Sequence, residues 1–158
     1  MSHLEPSPSD RATLGFLVGR FTGEGALGPG ATRISKHVVG RWEVGGHFLS
    51  LAMTASYLVG EDVADVHHAL AVVGVMTRPD GSLDARVFTD SGRIYEHRLV
   101  VESGRVSFRD RVPHEIRASE ARKILVATDY GYEETLEIDR GGRRFERYSV
   151  VRLLRQAD

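Results

Sequence analysis

From Gly19 onward, apolar and polar positions alternate in short runs, each closed by a turn signal. Before Gly19 the spacing is different. Leu14, Leu17 and Val18 recur at helical intervals, and Asp10 stands where it can cap a short helix. The turn signals are Gly-Pro-Gly at 28–30, Gly-Gly at 45–46, Pro-Asp-Gly at 79–81, Asp-Ser-Gly at 90–92, Ser-Gly at 103–104, Asp-Tyr-Gly at 129–131 and Gly-Gly at 141–142. They divide the chain into strands near 19–26, 31–44, 47–58, 67–78, 83–89, 93–101, 105–112, 122–128, 132–139 and 143–154. Strands at this spacing, mostly joined by hairpins, form an antiparallel sandwich or an up-and-down barrel. The expected fold is an all-β barrel of about ten antiparallel strands, with a short N-terminal helix and an internal cavity. Residues 1–9, polar and proline-rich, read as a disordered lead-in to a single domain at 10–158. Residues 113–121 read as a long break containing a short helical turn.

Turn lengths set which side chains share a face. A two-residue Gly45-Gly46 turn suits a primed hairpin, since both positions accept positive φ. It pairs Trp42 with Leu49 and Val38 with Met53. One face then carries Ile34, Val38, Trp42, Val44, Leu49, Leu51, Met53 and Tyr57, while the other carries Arg33, Ser35, His37, Arg41, Glu43, Ser50, Thr54 and Ser56. A one-residue slip would destroy that segregation. Three-residue loops at 79–81 and 90–92 add Ala71, Val73, Val75, Ala85, Val87, Tyr95, His97 and Leu99 to the apolar face. With Ser103-Gly104 as a two-residue turn, Val106, Phe108 and Asp110 join them, and Asp110 lies opposite His97. The alternative three-residue loop buries Ser107, Arg109 and Arg111 instead, at a higher desolvation cost. A three-residue Asp-Tyr-Gly loop and a Gly141-Gly142 turn add Ile124, Val126, Tyr132, Glu134, Leu136, Ile138, Phe145, Arg147, Ser149 and Val151, with Glu134 diagonal to Arg147. Small inward residues, Ala69, Ala71 and Ala85, leave room in the middle. Apolar walls with a few convergent polar groups describe a small-molecule pocket.

Composition narrows the partners. The chain has 158 residues, enough to bury roughly 70% of its unfolded surface without a metal or disulfide. It has no cysteine, which excludes disulfides and thiolate chemistry. The net charge of −1 gives no electrostatic reason to expect nucleic acid or an anionic membrane as partner. No signal peptide or membrane-spanning run is visible, so a cytoplasmic location is the simplest expectation. Lysine occurs only at 36 and 123; arginine supplies the other basic residues.

"LGFLVGRFTGEG" (14–25) resembles the opening of nitrobindin-like and related lipocalin-like proteins, where a short helix leads into a Gly-aromatic-x-Gly-x-Gly first strand. "RWEVGGHFL" (41–49) and "VFTDSGRIYEHRL" (87–99) resemble an uncharacterised bacterial branch of the same calycin-like barrels. The resemblance implies a ten-stranded barrel whose cavity takes an apolar or amphipathic ligand. Two functions of these relatives transfer poorly. Nitrobindins hold haem through a histidine of the C-terminal strands, and residues 115–158 contain none, so haem is the weakest alternative and no cofactor is expected. Fatty-acid-binding proteins grip a carboxylate with Arg-x-Tyr in the last strand; here Arg147 and Tyr148 are adjacent, on opposite faces.

The leading expectation is a carrier of a small amphipathic organic molecule. Its cavity is lined by Trp42, Leu49, Met53, Tyr57, Val73, Val87, Phe108, Tyr132 and Leu136, with Arg147 at the polar end. The alternative is a cofactor-free cyclase or isomerase of a polyketide- or polyene-like substrate. His97, Asp110, Tyr95 and Glu134 would then handle protons, and positioning would supply most of the rate. Against both stands the plain structural reading, in which His97–Asp110 and Glu134–Arg147 are satisfied interior pairs. No metal site is expected, since neighbouring His67 and His68 point oppositely on a strand. "GEGALG" (23–28) matches a phosphate-loop pattern but runs into Pro29-Gly30 and a strand rather than a helix. "RGGRRFER" (140–147) fits a hairpin with a solvated face better than an RNA-binding segment. An interaction module would need an outward apolar patch, and the outer faces read as polar. The sequence leaves a homodimer open.

Overall fold

Alternating side chains and tight turns give ten strands, each hydrogen-bonded antiparallel to its chain neighbour. The computed structural model describes residues 8–28, 32–76, 78–110, 120–139 and 144–158. The strands are β1 (Gly19–Leu27), β2 (Thr32–Glu43), β3 (Phe48–Val59), β4 (Asp62–Gly74), β5 (Leu83–Thr89), β6 (Ile94–Glu102), β7 (Arg105–Asp110), β8 (Glu120–Thr128), β9 (Gly131–Asp139) and β10 (Glu146–Arg155). β1 also pairs with β10, so the sheet closes on itself as an up-and-down barrel with no edge. The predicted lead-in at 1–9 falls mostly outside the described residues, as does the predicted turn at 113–121.

A helix α1 (Pro8–Leu14) and a 3-10 turn at Gly15–Leu17 precede β1 and stop one end of the barrel, here the lower end. Leu14 and Leu17 are fully buried there. Two arginines fasten the stopper. Arg11 donates to the Gly45 carbonyl at 3.2 Å, and Arg155 donates to the Val18 carbonyl while stacking on Phe21. Asp10 lies within α1 and does not precede it as a cap.

The predicted pairings Trp42↔Leu49, Val38↔Met53 and His97↔Asp110 are present, and Val87 and Tyr95, predicted on one face, pair with each other. Three expectations are corrected. Val44 is not inward: the β2–β3 connection takes four residues, and Val44 sits in it at φ 50° and 72% exposed. The β8–β9 turn has two residues, Asp129-Tyr130, not three, because Thr128 pairs with Gly131. That one-residue change reverses the parity of β8: Leu125 and Lys123 look inward, and Ile124 and Val126 do not. Gly131 is needed for close approach, since a Cβ there would lie 2.1 Å from the Leu153 carbonyl oxygen. Finally, β10 carries a bulge between Arg147 and Ser149. The bulge turns Arg147 outward beside Glu137, while Ser149, Val151 and Leu153 face in.

The barrel seam requires another glycine. Gly23 faces the interior between Lys36 and Leu153, and a Cβ on it would stand 1.9 Å from the Arg152 carbonyl oxygen. Gly23→Ala is therefore expected to cost about 3 kcal/mol or more in urea denaturation. Gly15→Ala, with nothing within 4 Å of the new methyl, is expected to stay within about 0.5 kcal/mol of the parent.

Candidate functional site

Burial along the inner face changes with height. At the lower end Phe21, Val38, Leu49, Leu51, Val73, Leu99 and Val106 are solidly packed. Each such residue contributes roughly 1.5–3 kcal/mol through its burial. Going up the same strands on the same face, Met53, Tyr57, Ala69, Val87, Tyr95, His97 and Leu136 become partly accessible. The inner face is fully packed at the lower end and partly accessible toward the upper end. A separate recess of about 520 Å³ lies at the bulged start of β10, lined by Ala26, Gly28, Ile138, Arg147, Tyr148 and Val150; Ala26, Arg147 and Val150 face outward, so it belongs to the outer rim and not to the inner face.

A charged cluster marks the boundary between the packed and the accessible parts. Inward positions of β2 are even-numbered, which brings Lys36 inside between Ile34 and Val38. Its ammonium donates to both oxygens of Glu134, at 2.6 and 2.5 Å. Lys123, turned in by the short β8–β9 connection, approaches Glu134 Oε1 at 3.3 Å. Side-chain exposure is 6% for Lys36, 10% for Glu134 and 34% for Lys123. The two lysines of the entire chain thus flank one glutamate in the interior. The turn pattern predicts Arg147 as the partner of Glu134; the bulge in β10 turns Arg147 outward, and Lys36 takes its place.

Burial governs the proton affinities. It pushes the Lys36 ammonium down to about 8; the Glu134 carboxylate opposes that shift and the Lys123 charge reinforces it. Burial alone would raise Glu134. The ammonium groups of Lys123 and Lys36, with their hydrogen bonds, outweigh it and hold the carboxyl down to about 2. Burial also raises the Tyr57 phenol, which feels Lys123 and Glu134 from across the barrel. Tyr132 is raised well above the ordinary phenol value by burial, with Glu134 adding to the shift.

The other sequence-derived residues separate by height. Leu49 and Val73 are in the packed lower part. Tyr132 is there too, edge-on to Phe21 at 4.9 Å and Phe16 at 6.2 Å. Trp42 packs on the core at the stoppered end. Met53, Tyr57, Val87, Tyr95 and Leu136 line the accessible upper half. His97 lies between them, 6.5 Å from the Tyr95 ring and edge-on to the buried Phe108 at 5.8 Å, with Asp110 as its cross-strand partner. Near the rim, His67 pairs with Asp65 at 2.9 Å and meets the Tyr57 ring edge-on. Among the described residues no group of three or more acidic or histidine side chains could hold a metal, and no helix is long and apolar enough to cross a membrane.

No family model matches the chain, and no curated protein matches it. Its fold does have a solved counterpart. The crystal structure of Rv2717c from M. tuberculosis superposes with a TM-score of 0.62 at 19% sequence identity, covering 97% of this chain and 100% of that one. At that identity the likeness establishes the barrel and nothing about its contents.

The buried triad generates a stability prediction. Glu134→Gln leaves the Lys36 ammonium buried without its counter-ion and is expected to cost roughly 3 kcal/mol near neutral pH. Because the folded-state carboxyl is depressed, its contribution is full above its ordinary value of 4.5 and is lost as pH falls toward about 2. The stability gap between parent and variant should therefore close across that acid window in denaturant titrations. Adding Lys36→Met to Glu134→Gln should recover part of the loss.

Proposed function

We propose that this chain is a small-molecule-binding barrel that holds an apolar or amphipathic organic guest in its upper half. The observation that carries this reading is the change in burial along one continuous inner face. Apolar side chains that a solid core would cover, Met53, Val87 and Leu136, remain accessible above a fully packed floor. A guest there removes apolar surface from water at about 25 cal/mol per Å², less the cost of ordering it. The fold and the sequence resemblance to calycin-like barrels agree with such a role.

A second reading, a cofactor-free cyclase or isomerase, rests on the placement of His97 beside Tyr95 on the same accessible face. Glu134 suits that reading poorly as a proton carrier, because its two ammonium partners keep it ionised far below neutral pH. The turnover reading predicts that His97→Ala abolishes product formation while the guest still binds.

Native mass spectrometry of protein purified from its own host should show the chain with an added organic mass. Val87→Trp, which places a bulky side chain on the accessible part of the inner face, should lose that mass and the binding of the neutral dye Nile red, with an unchanged circular dichroism spectrum. Parent protein that carries no mass and takes up no dye would contradict the proposal.

A further inference from the structure

Lysine is rare in this chain and both copies meet at one point. Of 21 basic residues only Lys36 and Lys123 are lysine. Both face the interior and share one carboxylate, Lys36 through both Glu134 oxygens and Lys123 through Oε1 at 3.3 Å. Arginine, used at every other basic position, would serve an ion pair at least as well, because its planar fork matches a carboxylate. Lysine differs in one chemical respect: its nitrogen can shed a proton and attack carbon. Lys36 is shut in, whereas about a third of the Lys123 side chain is accessible. Lys123 pairs across the sheet with Leu136 on β9 and Phe108 on β7, so apolar residues flank it on the inner face.

We propose that Lys123 captures an apolar aldehyde as an imine, with the body of the guest against Leu136, Met53 and Val87. This rests on the barrel reading above and names its ligand class. The Lys123 nitrogen forms a bond to the carbonyl carbon, and the carbonyl oxygen leaves as water with two of the three ammonium hydrogens. The protonated imine keeps the positive charge that the ammonium carried. Glu134 therefore faces the same charge before and after the step, and no ion is newly buried. The guest itself arrives neutral, so it crosses the apolar face without an ionic desolvation cost. A second amine beside the first is an arrangement that frees a lysine nitrogen for attack. Burial and the Lys123 charge push Lys36 down to about 8, so near neutral pH the two amines together hold fewer than two protons part of the time. Lys36 is thus a positioning residue that relieves Lys123 of a proton across their shared carboxylate.

The test is reductive trapping. The full chain at pH 7 is incubated with octanal and sodium cyanoborohydride, which fixes an imine as a stable secondary amine, with Nα-acetyl-lysine in the same tube. Intact mass and peptide mapping should show one octyl group per chain, on Lys123, formed at least about tenfold faster than on the free amine. Octanal should outpace propanal at Lys123 by at least about tenfold, because five more methylenes are buried. Lys123→Arg, which keeps a cation opposite Glu134 and so protects folding, should bind Nile red as the parent does and lose the label. Lys36→Arg keeps the ion pair but cannot take up a proton, and should slow the labelling of Lys123 by about tenfold. A label on Lys36, or one confined to the N-terminal amine, overturns the assignment to Lys123. Equal rates with propanal and octanal overturn the apolar-aldehyde class, and an unchanged rate in Lys36→Arg overturns the paired-amine argument. Nile red binding with labelling no faster than that of the free amine overturns this inference and leaves the barrel a binder. Failure of both probes overturns the barrel reading as well.

Discussion

A sheet that closes must bring its first and last strands together, and here that seam sets what the interior can be. β1 lies between β2 and β10. Its inward residue at 23 has no side chain because the backbone of β10 occupies the space a methyl would need. The seam places β2 and β9 on either side of β1 and β10. Lys36, from β2, can therefore reach Glu134, from β9, with both oxygens engaged. Closure of the backbone and pairing of the interior charges are one geometric event.

The vertical division of the barrel follows from where large side chains are placed. Phenylalanine, leucine and tyrosine crowd the end stoppered by α1, where Tyr132 meets Phe16 and Phe21. Alanine and valine at 69 and 87 thin out the filling above. The ionic cluster lies between the two zones, with Lys36 almost fully buried and Lys123 about a third accessible. The desolvation cost of such a cluster is large, so it is a poor choice for stability alone.

Much of the architecture was legible in the turn residues. Ser103-Gly104 implies the His97↔Asp110 pairing, and Asp-Ser-Gly at 90–92 puts Val87 and Tyr95 on one face, where they pair. The site was less legible, for two physical reasons. Glycine was read as a turn former at 131, whereas it serves there to admit a neighbouring backbone, and the resulting one-residue error hid Lys123. No turn residue announces the bulge between Arg147 and Ser149, so Arg147 was assigned to the wrong side. Lys36 does carry a signal in the sequence. It shares the parity of Ile34 and Val38, and a lone lysine on an apolar face of an arginine-rich chain is conspicuous once the face is counted.

The distribution of basic residues has a chemical consequence. Arginine supplies nearly every cation elsewhere, and both ε-amines of the chain lie inside the barrel wall. A reagent selective for primary amines, such as an activated ester, finds no lysine on the outside to acylate. The two side-chain amines are thus built-in reporters of the lumen, the inner one shielded and the outer one open to whatever small electrophile passes through the mouth.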